Sequence, residues 1–225
     1  HQCWSETMAI QAVVEGMLGI KLNALQNLLQ IAPAIPPHWN SIHIDHLRFK
    51  ESVIHFSMHT DNFKQTWQFN INGKSTPQII FAPYLPAGSQ INSIEINGQS
   101  VYFERIIKEG YTQAIVQFKM EDSLRLEIYY KPGFYVIPEI ILPEPGDKAD
   151  GLRIIQSYMV DSVYVIELEA PQNSLHTIKV KASGEREYSI DGGSLKSCKD
   201  GILEIEVNFQ SSEKLYVRKN IRVKI

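Results

Sequence analysis

Ser52-Val53-Ile54-His55-Phe56-Ser57-Met58-His59 alternates apolar and polar side chains residue by residue, and that alternation decides the class of fold. Successive side chains of an extended strand point to opposite faces. Ile54, Phe56 and Met58 therefore share one face, and His55, Ser57 and His59 the other. The same period of two is read before it, over Ser41–Phe49, and after it, over Thr66–Ile71. It returns at Tyr111–Lys119, Ser123–Tyr130, Arg153–Val160, Ser162–Glu169, Leu175–Lys181, Ile202–Phe209 and Leu215–Lys224. Asn72-Gly73 carries a type I′ hairpin signal, and Ile94-Glu95-Ile96-Asn97-Gly98-Gln99-Ser100-Val101-Tyr102 carries a cleaner one. Turn residues separate these runs, and no helical pattern falls between them. This is the rhythm of a mainly β chain folded as an antiparallel β-sandwich.

Composition agrees. The 225 residues contain 29 Ile and 13 Val against 11 Ala, a β-branched bias. With 44% hydrophobic and 21% charged residues, the chain can build a core and is not wholly disordered. A net charge of −3 gives no electrostatic reason to expect a nucleic-acid partner. No apolar run approaches the ~18 residues of a membrane-spanning helix, so no membrane partner is expected. Two cysteines, Cys3 and Cys198, set no disulfide framework; a single disulfide between them is the alternative, but nothing in the spacing brings them together, and they read as free thiols.

The N-terminal end has a different period. Ile10, Val13, Val14, Met17 and Leu18 fall at helical spacing and predict one buried stripe on a helix over residues 4–18. Gly19 stands where a left-handed C-terminal cap belongs. Ile31-Ala32-Pro33-Ala34-Ile35-Pro36-Pro37 reads as a stiff, extended piece. The expected organisation is a terminal helix over 1–20, a Pro-rich connector over 21–40 and a β-sandwich over 41–225. The stretch Ile141-Leu142-Pro143-Glu144-Pro145-Gly146-Asp147-Lys148-Ala149-Asp150-Gly151 interrupts the strands as either a linker or a crossing loop. One large sandwich, or two small ones divided near 141–152, both fit.

Candidate chemistry is sparse. An N-terminal His1 could form half of a copper-binding brace, but the helix that follows it argues against the extended terminus this needs. His43, His46, His55 and His59 cluster in the first strand pair, and a tight turn at Phe49-Lys50-Glu51-Ser52 brings His46 opposite His55. With no Cys or close carboxylate to complete a ligand set, solvated polar positions explain them, and no metal or other cofactor is expected. Lys214, Arg218, Lys219, Arg222 and Lys224 alternate with Leu215, Val217, Ile221, Val223 and Ile225 as the wet face of a last strand. Trp39, Trp67, Tyr102, Tyr129, Tyr130 and Tyr135 are candidates for stacking on sugar rings, although such rings usually belong to the core. Trp39, directly after the prolines, is expected to be a buried anchor. No nucleophile elbow, phosphate loop, dinucleotide fingerprint or zinc-protease motif occurs, and no carboxylate pair can be placed across a cleft. No catalytic residue is assigned.

His1-Gln2-Cys3-Trp4-Ser5-Glu6, followed by Val13-Val14-Glu15-Gly16-Met17-Leu18-Gly19-Ile20, resembles the last helix of the (α/α)6-barrel glycoside hydrolases. The resemblance is to bacterial proteins of the glycogen-debranching (amylo-α-1,6-glucosidase-like) and α-L-rhamnosidase-like types. Ile31-Ala32-Pro33-Ala34-Ile35-Pro36-Pro37-His38-Trp39 is similar to the segment that enters their C-terminal sandwich. Tyr130-Lys131-Pro132-Gly133 and the 143–153 stretch look like later parts of such sandwiches. The resemblance implies a tail fragment that is inactive alone and braces a catalytic barrel carrying both carboxylates, with that barrel and carbohydrate as partners. It also implies that Trp4, with His1 beside it, lines the sugar pocket of the intact enzyme, and it leans towards an extracytoplasmic or periplasmic location. Glu6 departs from the small residue usual after Trp-Ser and receives no catalytic role. The competing expectation is a free-standing secreted carbohydrate-binding module that uses surface aromatics.

Overall fold

The computed structural model describes residues 3–61, 63–139, 146, 151–182, 187–210 and 215–224, and the side chains from residue 7 onward. Within them the protein is mostly β, with one short N-terminal helix and sheets consistent with β-sandwich architecture. The chain divides into two compact units. One comprises residues 1–85 and 89–132, the other residues 86–88 and 133–225. The 141–150 part of the Pro-rich interruption lies outside the described residues, apart from Gly146.

In the first unit, α1 (Cys3–Gln11) runs into a π-helical turn, Ala12–Met17. The strands are β1 (Lys21–Asn23), β2 (Leu28–Ile31), β3 (Ser41–Phe49), β4 (Ser52–Asp61), β5 (Lys64–Gly73) and β6 (Gln78–Phe81). They continue as β7 (Tyr84–Pro86), β8 (Gln90–Ile96), β9 (Gln99–Ser100), β10 (Glu104–Lys108), β11 (Tyr111–Lys119) and β12 (Ser123–Lys131). One six-stranded sheet has the order β1-β2-β6-β11-β10 with β7 also on β11, and the other is β3-β4-β5-β12-β8-β9. β2 and β6 run parallel. The β1 and β2 strands occupy part of the stretch that the sequence reads as connector.

Alternation builds the core. Ile54, Phe56 and Met58 of β4 are buried with Trp67 and Phe69 of β5, Phe81 of β6 and Val116 of β11. Phe81 meets Trp67 and Phe69 edge to face, at centroid separations of 5.0 and 5.6 Å, a favoured aromatic geometry. Asn97 and Gly98 both take positive φ, 50° and 78°, and Ile96 pairs with Gln99. That is the hairpin predicted there. Asn72-Gly73 is a correction. Gly73 ends β5 against Ser52 of β4, and β6 then joins the other sheet beside β2 and β11, so no hairpin forms.

The N-terminal helix also departs from expectation. Ile10 and Val13 are exposed, Val14 and Met17 only partly buried, and Leu18 fully buried. The π turn is the reason. Leu18 N–H donates to the Val13 carbonyl five residues back, at 2.9 Å, where an α-helix reaches back four. That wider turn breaks the 3.6-residue phase on which the stripe is read. Gly19 has the left-handed φ of 59° expected of it, and a Cβ there would collide with the Ala32 carbonyl.

The second unit holds β13 (Tyr135–Ile137), β14 (Arg153–Val160), β15 (Val163–Pro171), β16 (Ser174–Lys181), β17 (Ser189–Asp191), β18 (Ser194–Lys199), β19 (Ile202–Phe209) and β20 (Tyr216–Lys224). Two four-stranded sheets, β13-β16-β19-β18 and β14-β15-β20-β17, supply one core of Tyr164, Ile166, Leu168, Val180, Leu203, Ile205, Val207, Ile221 and Val223. Ala87 pairs with Phe134 and joins that core. On β20, Arg218 and Arg222 face solvent and pair with Glu169 and Asp191 at 2.9 and 3.1 Å, as the wet-face reading expects. Cys198 is a free, exposed thiol, whereas the Cys3 side chain lies outside the described residues.

Candidate functional site

β3 is the edge strand of its sheet, and its apolar positions slip in phase. Ile42 and Ile44 turn inward, then Leu47 and Phe49, so Asp45 and His46 stand together between them. The register records the slip. Ile44 pairs with Phe56 and Leu47 with Ile54, which leaves Asp45 and His46 jointly opposite His55. This is a β-bulge, two residues facing one, and a bulge re-aims side chains. His46 adopts a φ of 62°, the left-handed region that few non-glycine residues enter.

The bulge gathers three imidazoles around one carboxylate. His55 Nδ1 donates to Asp45 Oδ1 at 2.7 Å, and His43 Nε2 lies 2.9 Å from Asp45 Oδ2. The His46 and His55 rings meet edge to face at 5.2 Å. One ligand-capable atom from each of Asp45, His46 and His55 lies within 4.8 Å of the others. The His55 hydrogen bond holds the Asp45 carboxyl below its usual range, and the charges of His43, His55 and His46 act in the same direction. Asp45 and His46 are exposed and His55 is about a quarter exposed, so a solute can reach the cluster.

The strand pairing predicted from the sequence thus places His46 beside His55, but the expectation that no carboxylate is close is corrected. Asp45 is the hub, brought in by the bulge. Regular alternation would have turned it away from His46. The signal was present as two consecutive polar residues, Asp45-His46, between Ile44 and Leu47. His59 stands apart, 3.8 Å from Asp61.

The other candidates scatter. His1 and the Trp4 side chain lie outside the described residues. Trp67 and Tyr130 are core residues, at 1% and 5% exposure. Trp39 is 42% exposed, so it is not the buried anchor expected of it. Its backbone N–H closes a turn on the Pro36 carbonyl at 2.9 Å, and that turn leaves the ring half outside. Tyr102 is almost fully exposed, while Tyr129 and Tyr135 are half-buried.

No protein-family model matches the sequence, and no curated protein matches it. Among solved structures, the chain is similar to a glycoside hydrolase at 12% identity and a TM-score of 0.34, over 82% of this chain and 31% of that one. A GH127 β-L-arabinofuranosidase from Geobacillus stearothermophilus T6 is similar at 10% identity and a TM-score of 0.31, over 91% of this chain and 32% of that one. Leukotriene A4 hydrolase from Saccharomyces cerevisiae is similar at 10% identity and a TM-score of 0.22, over 85% of this chain and 32% of that one. The chain spans about a third of the length of each. Likeness at this level says nothing of activity.

Proposed function

We propose that this chain is a non-catalytic β-sandwich region of a carbohydrate-active glycoside hydrolase, bracing an α-helical catalytic domain. The observation that carries the reading is the N-terminal helix. Its last turn and the residues that follow are anchored in the β core through Val14, Met17, Leu18 and Ile20, while Met8, Ile10 and Val13 remain exposed ahead of them. A short helix with its apolar residues in water is marginal on its own and gains stability from packing. The outer surface near Met8, Gln11, Ala12, Glu15 and Gly16 forms a shallow groove. Among the described residues nothing lies within 4 Å of where a Gly16 Cβ would be, so another helix has room to come close. The resemblance of residues 1–39 to the end of a hydrolase barrel supports the reading that this neighbour is a barrel helix.

The test has two arms. The chain alone should turn over no aryl glycoside; turnover that disappears in Glu6→Gln would make Glu6 catalytic and overturn the reading. Replacing Met8, Ile10 and Val13 by Ser should leave the melting temperature within a degree or two and reduce self-association in sedimentation. A collapse of the β-sheet signal in that variant would mean that the helix stabilises this chain and nothing else.

A second reading, a free-standing carbohydrate-binding module, draws on the exposed rings of Trp39 and Tyr102. An exposed aromatic face can stack on a sugar ring. Oligosaccharide binding that Trp39→Ala abolishes without loss of stability would favour it.

A further inference from the structure

We propose that Asp45, His46 and His55 form a binding site for one divalent cation of the class that prefers imidazole, Zn2+ foremost, which clamps edge strand β3 to β4. The donor set is two imidazoles and one carboxylate. It suits Zn2+, Cu2+ or Ni2+ rather than Ca2+ or Mg2+, which take oxygen ligands. Three protein ligands leave the fourth tetrahedral position open to water or an external donor.

The geometry fits a small cation. Zinc bonds of 2.0–2.2 Å to nitrogen and oxygen place neighbouring tetrahedral ligand atoms about 3.3 Å apart. The Asp45–His55 contact of 2.7 Å has to open by about half an ångström, and the widest separation in the cluster, within 4.8 Å, has to close. Rotation of the exposed Asp45 and His46 side chains covers both changes. His43 completes the arrangement from outside. It bonds the other carboxylate oxygen at 2.9 Å, the way an outer partner orients a metal-bound carboxylate. We therefore assign His43 as a positioning residue.

Two features distinguish this cluster from polar residues scattered on a wet strand. The bulge adds one residue to β3 at the position that converges Asp45 and His46 on His55. The backbone at His46 is held at positive φ, a conformation that persists only where its surroundings determine it, and such residues gather at ligand sites. A clamp here also has a structural use. β3 is a sheet edge, and a cross-strand tie at its bulge keeps the register from slipping.

The experiment is a titration of the full chain with ZnCl2 in buffer free of phosphate and chelators, followed by calorimetry and by the imidazole proton–nitrogen NMR spectrum. One equivalent should bind with a dissociation constant in the micromolar range, shifting the His46 and His55 ring signals and leaving His59 in place. His55→Gln and Asp45→Asn should each weaken binding at least tenfold. His43→Gln should weaken it only a few fold while the same ring signals still shift, which marks a positioning role. His46→Asn retains a side chain that tolerates positive φ, so its loss of binding reports on ligation and not on folding. Absence of binding at 100 μM Zn2+, equal binding by His55→Gln, or a shift centred on His59 or the cysteines would overturn the proposal.

Discussion

Two tryptophans show how burial, not residue type, sets the consequence of a substitution. Trp67 is enclosed by Phe56, Phe69 and Phe81, and its indole N–H donates to Gln65 Oε1 at 3.3 Å. Removing it should cost about 3–5 kcal/mol, read as a lower urea midpoint. Trp39→Ala should cost about 1 kcal/mol or less, because nearly half of the ring is already in water. Equal losses in the two variants would mean that Trp39 is buried in solution. A third residue sets a pH dependence. Glu127, with a side chain only 12% exposed, receives Arg125 at 2.9 Å and Lys64 at 3.1 Å. The Arg125 hydrogen bond, and then that of Lys64, holds its carboxyl below the ordinary 4.5. A lowered folded-state value means that its contribution is full above pH 4.5 and is lost as the pH falls further. Glu127→Gln should therefore be destabilised by about 1 kcal/mol at pH 7, and the gap to the parent chain should narrow in melts below pH 4.5. A gap that stays constant down to pH 3 would mean that the loss is packing, not charge.

At the scale of elements, what was legible in the sequence followed from length and phase. Ser41–Phe49, Tyr111–Lys119, Arg153–Val160 and Ile202–Phe209 are strands with the bounds their alternation marks. The short strands Gln78–Phe81, Tyr84–Pro86, Glu104–Lys108 and Tyr135–Ile137 are extended because a partner strand is there, and three to five residues carry too little period to show it. The candidate site was half legible for a related reason. Turn geometry fixes His46 opposite His55, whereas Asp45 joins them only through a one-residue slip that pairing rules do not foresee. The helix stripe misled because a 3.6-residue period was carried through a π turn. Its C-terminal lock, by contrast, was readable in Gly19. The Ala32 N–H donates to Leu18 O at 3.2 Å and the Ala34 N–H to Met17 O at 2.7 Å, so the segment that follows β2 passes directly against the cap. Gly19→Ala should cost about 3 kcal/mol from positive φ and the Ala32 collision together. Asn at this position tolerates the φ but not the collision, so a Gly19→Asn variant as stable as the parent would show that the cap is looser than this.

At the scale of the whole molecule, the Pro-rich stretch at 141–151 is where the sequence suggests a break, yet the contacts divide the chain between Pro132 and Gly133 and return residues 86–88 to the second unit. That return rests on the pairing of Ala87 with Phe134, a long-range contact with no local signature. Among the described residues the two hydrophobic clusters share none. All three tryptophans, Trp4, Trp39 and Trp67, belong to the first unit, so tryptophan emission reports on it alone. Ile205 is fully buried in the other unit, between Ile178 on β16 and Leu195 on β18. Ile205→Ala removes contacts that the surrounding strands cannot refill, at about 3 kcal/mol. Its urea transition should move to lower concentration by far-UV circular dichroism while the tryptophan midpoint holds, which splits one curve into two. Both probes moving together by the same amount would show a single cooperative unit, since coincident transitions are the mark of two-state unfolding.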